Sequence, residues 1–385
     1  MKIIYSWGHS DSTIKPFIEE EIKEWINAGY NISEVRDREE LGVTAPWSPQ
    51  ELDRRYQSKD NKLLRLYDKV ERMAENHDIF ITNHGNVYHP EFVKSLKHMN
   101  IYTVICSGDD PEASNYCSKP YVHAFDHSFA WAVNFNSDTK MTDKFLQWGA
   151  KRADYWPYGV WTKAYDTSLT EQDILNKKRD IDLVYVGYPS TKLARLVKLK
   201  QAFPQMVLYG HGWNLKTCLG SPISYRMRYG SWNREAFLSS FKAVFLGLWR
   251  VKELPIADLV PLYQRCKIGI NMHLSFGPSN LRTFQLPANG MLQICDCPEG
   301  LGQVYQIGKE ITVYHSVGEA IELIRYYLEH DNERKEIAIA GFRRTVIDYK
   351  RLTTFAKAVE KIKRGMLQDG IMFFKDGSPI RCNES

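Results

Sequence analysis

The stretch that decides the fold is Leu262-Tyr-Gln-Arg-Cys-Lys-Ile-Gly-Ile-Asn-Met-His273, followed by Gly277-Pro-Ser-Asn-Leu-Arg-Thr-Phe-Gln-Leu-Pro-Ala-Asn-Gly-Met-Leu-Gln-Ile-Cys-Asp296. Its apolar pattern predicts a buried strand over 267–272, a helix over 281–288 and a second buried strand over 291–295. This alternation is typical of a parallel α/β sheet. The polar loop between strand and helix therefore lies at the carboxyl end of a strand, where ligands bind in open α/β sheets.

Two polar residues begin the predicted helix, Asn280 and Arg282. A helix amino terminus offers unpaired N–H groups and a partial positive charge, and an arginine adds a fixed fork of donors. A cation at this end of a helix is disfavoured unless an anion accompanies it. We therefore interpret Arg282 as a partner of a phosphate or carboxylate, with a solvated side chain as the alternative.

The pattern Asn280-x-Arg282-x-Phe284, a helix of small residues, Gly290, an apolar strand and Asp296 resembles one protein family. It is similar to the nucleotide-sugar half of the CgeB-like (spore maturation protein) glycosyltransferases. The resemblance continues through residues 310–341 and covers the second half of the chain more closely than the first. It implies an α/β protein of GT-B type, with two Rossmann-like parallel-sheet domains facing across a cleft.

One position departs from that family. The family usually has a glutamate after the phenylalanine, where a carboxylate holds both ribose hydroxyls, and this chain has Gln285. An amide oxygen still accepts a hydrogen bond from one hydroxyl, but the paired-acceptor geometry is lost. The resemblance therefore implies a donor contact at Gln285 of altered geometry.

Length and composition set the broad class. At 385 residues the chain is long enough for two domains, and 43% hydrophobic with 25% charged residues is typical of a folded protein. The net charge of +5 fits a diphosphate donor or a nucleic-acid acceptor, and a slightly basic surface equally well. Seven cysteines form no even framework. No leader and no membrane-spanning apolar run is visible, so we expect a cytoplasmic protein.

Strand and helix patterns also alternate through the first half of the chain. We expect a first Rossmann-like domain over 1–166, which the resemblance assigns to the acceptor, a polar linker over 167–180 and a nucleotide-sugar domain over 181–352. In GT-B proteins the last helix crosses back onto the first domain, and the resemblance implies this for a helix over about 353–368. Residues 369–385 are expected to form a tail.

Two loops of the first domain carry candidate catalytic groups. His9 follows the first strand, where a neutral imidazole can take the proton from an acceptor hydroxyl. Asp109 and Asp110 close a later strand before Pro111, and CgeB-like proteins carry a similar acidic-proline step. The alternatives are a surface histidine and an ordinary Asp-Pro turn.

The start of the second domain offers further donor-binding candidates. Gly187 follows an apolar strand and has no Cβ, so that a ligand can approach the backbone closely, and Lys192 and Arg195 follow as phosphate partners. The motif is not a Walker loop, because no second glycine precedes Lys192.

A second glycine-rich segment is Gly210-His211-Gly212. In the resembling family it fits a loop that contacts the base or phosphates, and a simple turn fits equally well. It has no third glycine at the spacing of a dinucleotide fingerprint, which argues against a nicotinamide-dependent oxidoreductase.

Taken together, the resemblance and the residues predict a metal-independent glycosyltransferase that needs no cofactor and uses a nucleotide-diphosphate sugar, with a UDP-sugar favoured. Helix termini and basic side chains would neutralise the leaving diphosphate. Polysaccharide, protein, a small aglycone and a hydroxylated DNA base all fit as acceptors. A non-catalytic protein that binds sugar or nucleic acid is the alternative from another class.

Overall fold

A computed structural model describes residues 1–8, 14–45, 47–83, 85–107, 118–135, 138–273, 280–296, 298–373 and 379. The chain divides into two compact units, Met1–Trp161 together with Lys350–Ser385, and Thr162–Tyr349. Each unit is built around its own parallel sheet. The expected class of two Rossmann-like α/β domains is therefore confirmed.

Within the described residues, the first unit has a six-stranded sheet with strand order β2-β1-β3-β4-β5-β6, in which all neighbouring strands are parallel. The central strands are apolar on both faces, as a sheet covered by helices on both sides requires. The strands are β1 (Lys2–Trp7), β2 (Asn31–Arg36), β3 (Ile79–Asn83), β4 (Tyr102–Ser107), β5 (His127–Ala130) and β6 (Ala153–Tyr155).

The helices of the first unit cover this sheet with their apolar faces. Trp25 and Phe355, on the first and last helices, are stacked with ring centroids 3.8 Å apart. The helices are α1 (Lys15–Asn27), α2 (Asp37–Leu41), α3 (Pro49–Gln57), α4 (Asn61–Ala74), α5 (Pro90–His98), α6 (Met141–Gln147) and, from the carboxyl end of the chain, α16 (Arg351–Gln368).

A buried ion pair fixes α16 on this unit. Glu21 of α1 is 2% exposed and Arg351 is 4% exposed, and they form a salt bridge. The indole of Trp161 donates to Glu21 at 2.8 Å. Burial raises the pKa of Glu21, although the charge of Arg351 opposes the shift. Since removal of one partner would leave a buried unpaired charge, this pair fixes the position of α16 strongly.

The amino-acid sequence of the segment 39–62 is polar and interrupted by prolines, which predicts an excursion outside the core, but the structure places part of it in the core. It contains α3, which Ser48 caps by accepting from the Glu51 N–H. Leu41 and Leu52 are fully buried in the main cluster of the first unit. Two leucines among many polar residues are enough to place the segment in the core, because its polar side chains lie on the solvent face.

The described part of the second unit has a five-stranded parallel sheet with strand order β11-β10-β9-β7-β8. β7 to β10 carry the central apolar positions of this core, among them Leu183, Ile268, Ile270 and Leu292. The strands are β7 (Ile181–Val186), β8 (Val207–Tyr209), β9 (Cys266–Asn271), β10 (Leu292–Cys295) and β11 (Thr312–Val313).

The helices of the second unit include one in the expected linker. Residues 167–180 lie in this unit, where Thr170 and Asp173 form a capping box and Ile174 is buried against Phe342. The helices are α7 (Glu171–Asn176), α8 (Leu193–Ala202), α9 (Leu215–Tyr229), α10 (Arg234–Phe245), α11 (Ile256–Arg265), α12 (Arg282–Ala288), α13 (Pro298–Leu301), α14 (Val317–Glu329) and α15 (Asp331–Asp348).

In the described residues, no helix combines the length and the apolar character needed to cross a membrane.

Candidate functional site

The predicted donor residues gather at the carboxyl edge of the second sheet. β7 ends at Val186, directly before Gly187, and β9 ends at Asn271, ahead of Asn280 and Arg282. β7 and β9 are paired in parallel, so their carboxyl ends meet at one edge. The fold therefore brings together residues that are almost a hundred positions apart in the sequence.

Arg282 joins the ends of these two strands. Its Nη1 donates to the carbonyl of Val186 at 2.7 Å and its Nη2 to the carbonyl of Met272 at 3.1 Å. Its Nε donates to Oδ1 of Asn271 at 3.1 Å, and the guanidinium lies over the ring of Tyr185. A guanidinium has five N–H donors, and these bonds to described residues use three of them. Arg282 therefore links the ends of β7 and β9 by hydrogen bonds, and it is also a half-buried cation.

Asn280 has a local structural role that the sequence does not indicate. Its Oδ1 accepts from the N–H of Thr283 at 3.1 Å, and its Nδ2 donates to Oδ1 of Asn271 at 2.9 Å. One first-turn N–H group that we expected to meet an anion is therefore already bonded to a side chain.

The two glycines after β7 and β8 allow close packing behind this cation. A Cβ on Gly187 would lie 2.4 Å from Nη1 of Arg282, and a Cβ on Gly210 would lie 2.4 Å from the carbonyl oxygen of Gly187. Trp213 fixes the same carbonyl, since its Nε1 donates to it at 2.8 Å. The close approach that we expected at Gly187 is therefore made by the guanidinium of Arg282.

Arg195 and Asp296 form the second charged pair of the edge. Nη1 of Arg195 donates to Oδ2 of Asp296 at 2.8 Å, and the backbone N–H of His273 donates to Oδ1 at 2.9 Å. Nδ1 of His273 also lies 2.8 Å from Oδ1. Burial raises the pKa of Asp296, but the hydrogen bond from His273 and the charge of Arg195 outweigh it, so the net pKa is lowered. Asp296 is thus a carboxylate at neutral pH.

Lys192 is the most perturbed group of the edge. It is 4% exposed, and its Nζ donates to the hydroxyl of Tyr185 at 3.3 Å. Burial, followed by the charges of Arg282 and Arg195, lowers its pKa to about 6. Its amine is therefore mostly uncharged at neutral pH, and a nearby anion would favour its protonation.

The remaining three predicted donor-binding residues differ in exposure. His211 is exposed and stacks on Tyr188 with ring centroids 5.2 Å apart. Gly212 has a positive φ of +76°, and a Cβ at this position would lie 2.0 Å from the ring of Tyr188. A residue with a side chain therefore does not fit here. Gln285 is 6% exposed, so only a small part of its side chain is accessible to the ribose of a donor.

One group of described residues has the chemistry of metal ligands. Donor atoms of His273, Cys295 and Asp296 lie within 4.8 Å of one another. The carboxylate of Asp296 already carries an ion pair with Arg195. A cation at this position would therefore meet the guanidinium, and the arrangement favours an ion-pair network over a metal centre.

The candidate catalytic residues His9, Asp109 and Asp110 lie outside the described residues. At the carboxyl edge of the first sheet the structure describes another acid, Asp37, which follows β2 and is 3% exposed. Ser6 donates to its Oδ2 at 2.9 Å, and the hydroxyls of Ser6 and Tyr88 are 2.6 Å apart. Burial raises the pKa of Asp37 to about 6.

Several of these polar partners are absent from the sequence predictions. Asp37 and Asp296 are detectable in principle, because each follows a strand at its carboxyl end. Tyr185 and Asn271 lie within strands and read as core positions, and His273 carries no distinguishing spacing. Their roles depend on strand pairing, which a single sequence does not define.

Comparison with protein families gives a match in the second half of the chain. Residues 193–357 match the family model of Glycosyl transferase-like proteins. This segment begins at α8, directly after Lys192, and contains Arg195, Arg282 and Asp296. None of the curated proteins matches the sequence.

Solved structures are similar over nearly the whole chain. A sucrose-phosphate synthase from Thermosynechococcus elongatus has a TM-score of 0.62 at 11% identity, covering 96% of this chain and 100% of its own. HepE from Anabaena, in complex with UDP and glucose, has a TM-score of 0.58 at 12% identity, covering 94% and 100%. A glycosyltransferase from Rickettsia africae has a TM-score of 0.55 at 13% identity, covering 95% and 98%. With the family match over residues 193–357 and two parallel-sheet units, the chain has a fold of the GT-B type and carries a glycosyl transferase-like segment in its second half.

Proposed function

We propose that the chain transfers a sugar from a UDP-sugar to an acceptor hydroxyl, with the donor diphosphate bound at the carboxyl edge of the second sheet. The observation that carries this proposal is the grouping of Lys192, Arg195 and Arg282 around Tyr185 and Asp296. Asp296, which is paired with Arg195, is the one carboxylate in this described group. Such an excess of basic groups in a half-buried site favours a ligand with several negative charges.

The choice of UDP is supported by a structural neighbour. HepE was solved in complex with UDP and glucose. The exposed His211 on Tyr188 offers a ring face for a base. Gln285 stands where the resembling CgeB-like family has a glutamate that accepts from both ribose hydroxyls. In this chain the ribose is therefore bound by the single amide oxygen of Gln285 or by neighbouring backbone groups.

We propose that this donor binding needs no metal ion and no cofactor. The ion pair of Arg195 with Asp296 removes the carboxylate that would otherwise attract a cation. Arg195 and Arg282 stabilise the leaving diphosphate by fixed charge, as preorganised donors do in low-dielectric sites. Lys192, whose amine is mostly uncharged in the free protein, adds to this stabilisation by taking up a proton when the diphosphate binds.

The acceptor side belongs to the first unit in this proposal. His9 acts as the base that takes the acceptor proton, and Asp110, with Asp109 beside it, is the competing assignment. Asp37 is the weaker candidate, because its Oδ2 accepts from Ser6 and only 3% of the residue is exposed. Polysaccharide, protein, small aglycone and hydroxylated DNA base are the acceptor classes to screen.

The buried thiols bear on the proposed cellular setting. Among the described residues, Cys106, Cys218 and Cys266 are buried and form no disulfide. Burial raises the pKa of Cys106, Cys218 and Cys266, so these thiols are inert packing groups. This supports the proposal of a cytoplasmic enzyme, since reducing compartments keep such thiols free.

The decisive experiment is nucleotide binding to the full chain, followed by turnover. Thermal unfolding with UDP-glucose at about one hundred times its dissociation constant should gain roughly 2.7 kcal/mol. The gain should persist in a chelator. Loss of the gain on chelation would refute the metal-free site, and binding without donor hydrolysis or transfer would favour a non-catalytic binding protein.

A further inference from the structure

The helical hairpin formed by α9 and α10 has its large apolar side chains on the outside. Its inward-facing residues are small: Cys218, Ser221, Ala236, Ser239 and Ala243 are buried. This is the reverse of an ordinary surface helix, which buries its large apolar side chains.

The outward face carries a continuous apolar surface. The hairpin holds eleven of the twenty large apolar side chains that are exposed in the described residues, so exposure is concentrated here and not scattered. Met227 is 84% exposed and Phe245 is 92% exposed. The eleven residues are Leu215, Leu219, Ile223, Met227, Tyr229, Trp232, Phe237, Leu238, Phe241, Phe245 and Leu246.

Their spacing places these side chains on one face of each helix. Leu215, Leu219, Ile223 and Met227 follow one another at intervals of four residues on α9. Phe237, Phe241 and Phe245 do the same on α10. Residues four apart are neighbours on a helix surface, so each series is a ladder of adjoining side chains.

Basic residues lie on the same faces. Lys216 is seven positions before Ile223, and Arg226 is seven positions after Leu219. Lys242 is four positions after Leu238 on α10. All three are exposed, and the guanidinium of Arg226 lies over the ring of Trp232 at 4.7 Å. Apolar side chains and cations therefore share one outer surface.

Most of the net charge of the protein lies in the hairpin. Residues 215–246, which span α9 and α10, contain five basic residues and one acidic residue, a formal charge of +4 out of +5 for the whole chain. The acid, Glu235, is paired with Lys198 of α8. The basic residues are Lys216, Arg226, Arg228, Arg234 and Lys242.

We propose that the α9–α10 hairpin is a docking surface for an anionic lipid bilayer. Phenylalanine, leucine and tryptophan side chains enter the boundary between headgroups and acyl chains, and the basic side chains reach the anionic headgroups. A second copy of the chain fits less well, because a symmetric contact would bring two surfaces of like charge together. A nucleic acid would match the cations but leave the aliphatic ladder of α9 unused.

The test is co-sedimentation of the full chain with vesicles of phosphatidylcholine, with or without phosphatidylglycerol. Binding should appear with the anionic vesicles and weaken as salt is raised. Lys216→Gln with Lys242→Gln should lower the partition coefficient roughly thirtyfold, at about fivefold for each charge removed. Phe241→Ser with Phe245→Ser should lower it about tenfold or more.

A matched control has the same chemistry elsewhere on the second unit. Ile347, 61% exposed, and the exposed Lys309 are changed together as Ile347→Ser and Lys309→Gln, and vesicle binding should be retained. Thermal unfolding checks that every variant is folded. Vesicle binding is read without turnover, so it is independent of the proposed donor specificity.

Three results would overturn the proposal. The first is equal partition to neutral and anionic vesicles, or partition of the hairpin variants equal to the parent. The second is a dimer in light scattering that the phenylalanine variant converts to a monomer, which would make a second copy the occupant. The third is duplex DNA retardation that the lysine variant abolishes while vesicles are not bound.

Discussion

The carboxyl edges of the two sheets carry opposite chemistry. In the first unit the buried acid Asp37 is held by Ser6, and burial raises its pKa to about 6. In the second unit the buried base Lys192 lies beside Arg195, and burial with neighbouring cations lowers its pKa to about 6. Both groups are driven towards their neutral forms by the same desolvation. The difference is that Lys192 lies among basic residues. We therefore expect Lys192 to gain a positive charge when an anion binds.

This contrast supports the proposal that the two edges have different roles, one in donor binding and the other in acceptor deprotonation. An edge rich in basic side chains suits a diphosphate, and an edge with acids and neutral donors suits a hydroxylated acceptor and its proton.

The largest effect is expected at the first edge. His9→Ala should lower transfer by about 10²–10⁴-fold, the usual contribution of a positioned base, with nucleotide-sugar affinity nearly unchanged. The loss should lie in turnover, because proton removal matters in the transition state more than in the ground state. Steady-state kinetics and calorimetric titration of the donor measure the two quantities.

Asp110→Asn is the matched control for His9, because it keeps the shape of the side chain while removing the competing carboxylate. Parental transfer by His9→Ala together with an inactive Asp110→Asn would make the aspartate the base. Reduced donor affinity in His9→Ala would break the division between the edges.

The second prediction concerns the stability of the first edge. The folded pKa of Asp37, about 6, lies above its ordinary value of 3.8, so the folded state binds the extra proton between these values. Its contribution to stability is therefore present below pH 3.8 and lost as pH rises through 6. Asp37→Asn, which stays neutral, should stabilise the protein at pH 7 relative to pH 4 by up to about 3 kcal/mol.

Urea unfolding of parent and Asp37→Asn at the two pH values measures that difference. Asp68→Asn on α4 is the control, since its side chain is 61% exposed and should show no comparable pH dependence. A difference between parent and Asp37→Asn that does not change with pH would show that Asp37 is not a buried neutral acid.

The third prediction concerns Arg282, which links the ends of β7 and β9 at the carboxyl edge of the second sheet. Arg282→Ala should weaken UDP-sugar binding by about 1.5–3 kcal/mol, through loss of a charge-assisted contact. It should also lower the free energy of unfolding by about 1–3 kcal/mol, because it leaves the carbonyls of Val186 and Met272 without their donor. Calorimetry and urea unfolding measure the two losses separately.

Thr283→Val is the control that separates the loss of donor affinity from the loss of stability. Thr283 is buried and bonded to Asn271 and Asn280, so the change disturbs the same network without removing a cation. It should destabilise the fold while donor affinity stays near the parental value. Unchanged affinity in Arg282→Ala would remove Arg282 from the donor site.

These variants also show how far the sequence predicts the molecule. The strand ends and α8 could be predicted closely, because short apolar runs and polar loops alternate with little ambiguity from 181 to 202. The apolar run over 243–248 predicts a strand, and this prediction is wrong, because Ala243 to Phe245 complete α10. An apolar run of that length fits a strand or the exposed ladder of a helix, and periodicity over so few residues does not separate them.

The site is less predictable than the fold for a physical reason. Arg282 looks like a half-exposed cation in the sequence, whereas three of its donors join β7, Asn271 and Met272. The pKa of Lys192 depends on burial and on charges brought together by strand pairing. Residue types at strand ends give the candidates, but only the tertiary contacts decide which of them are structural and which stay free for a ligand.

The last prediction concerns Lys192 and has the smallest effect. With a pKa of about 6 in the free protein, its amine is mostly neutral at pH 7.5. Arg282 and Arg195 lower this pKa, and Asp296 raises it. A bound diphosphate would outweigh both cations and raise the pKa, so binding should take up a proton. The pyrophosphate of a UDP-sugar has no group that titrates near pH 7, so the uptake reports on the protein.

Donor affinity should therefore fall as pH rises above 6, by at most about tenfold for each pH unit, until the pKa of the complex is reached. Calorimetry at pH 7.5 in buffers of different ionisation enthalpy counts the protons taken up. Lys192→Met should abolish both the uptake and this pH dependence, and it should not unfold the protein, because it replaces a buried amine by an apolar side chain of similar length. Proton uptake that is zero in the parent, or undiminished in the variant, would show that Lys192 only packs on Tyr185, and the basic character of the second edge would then rest on its two arginines.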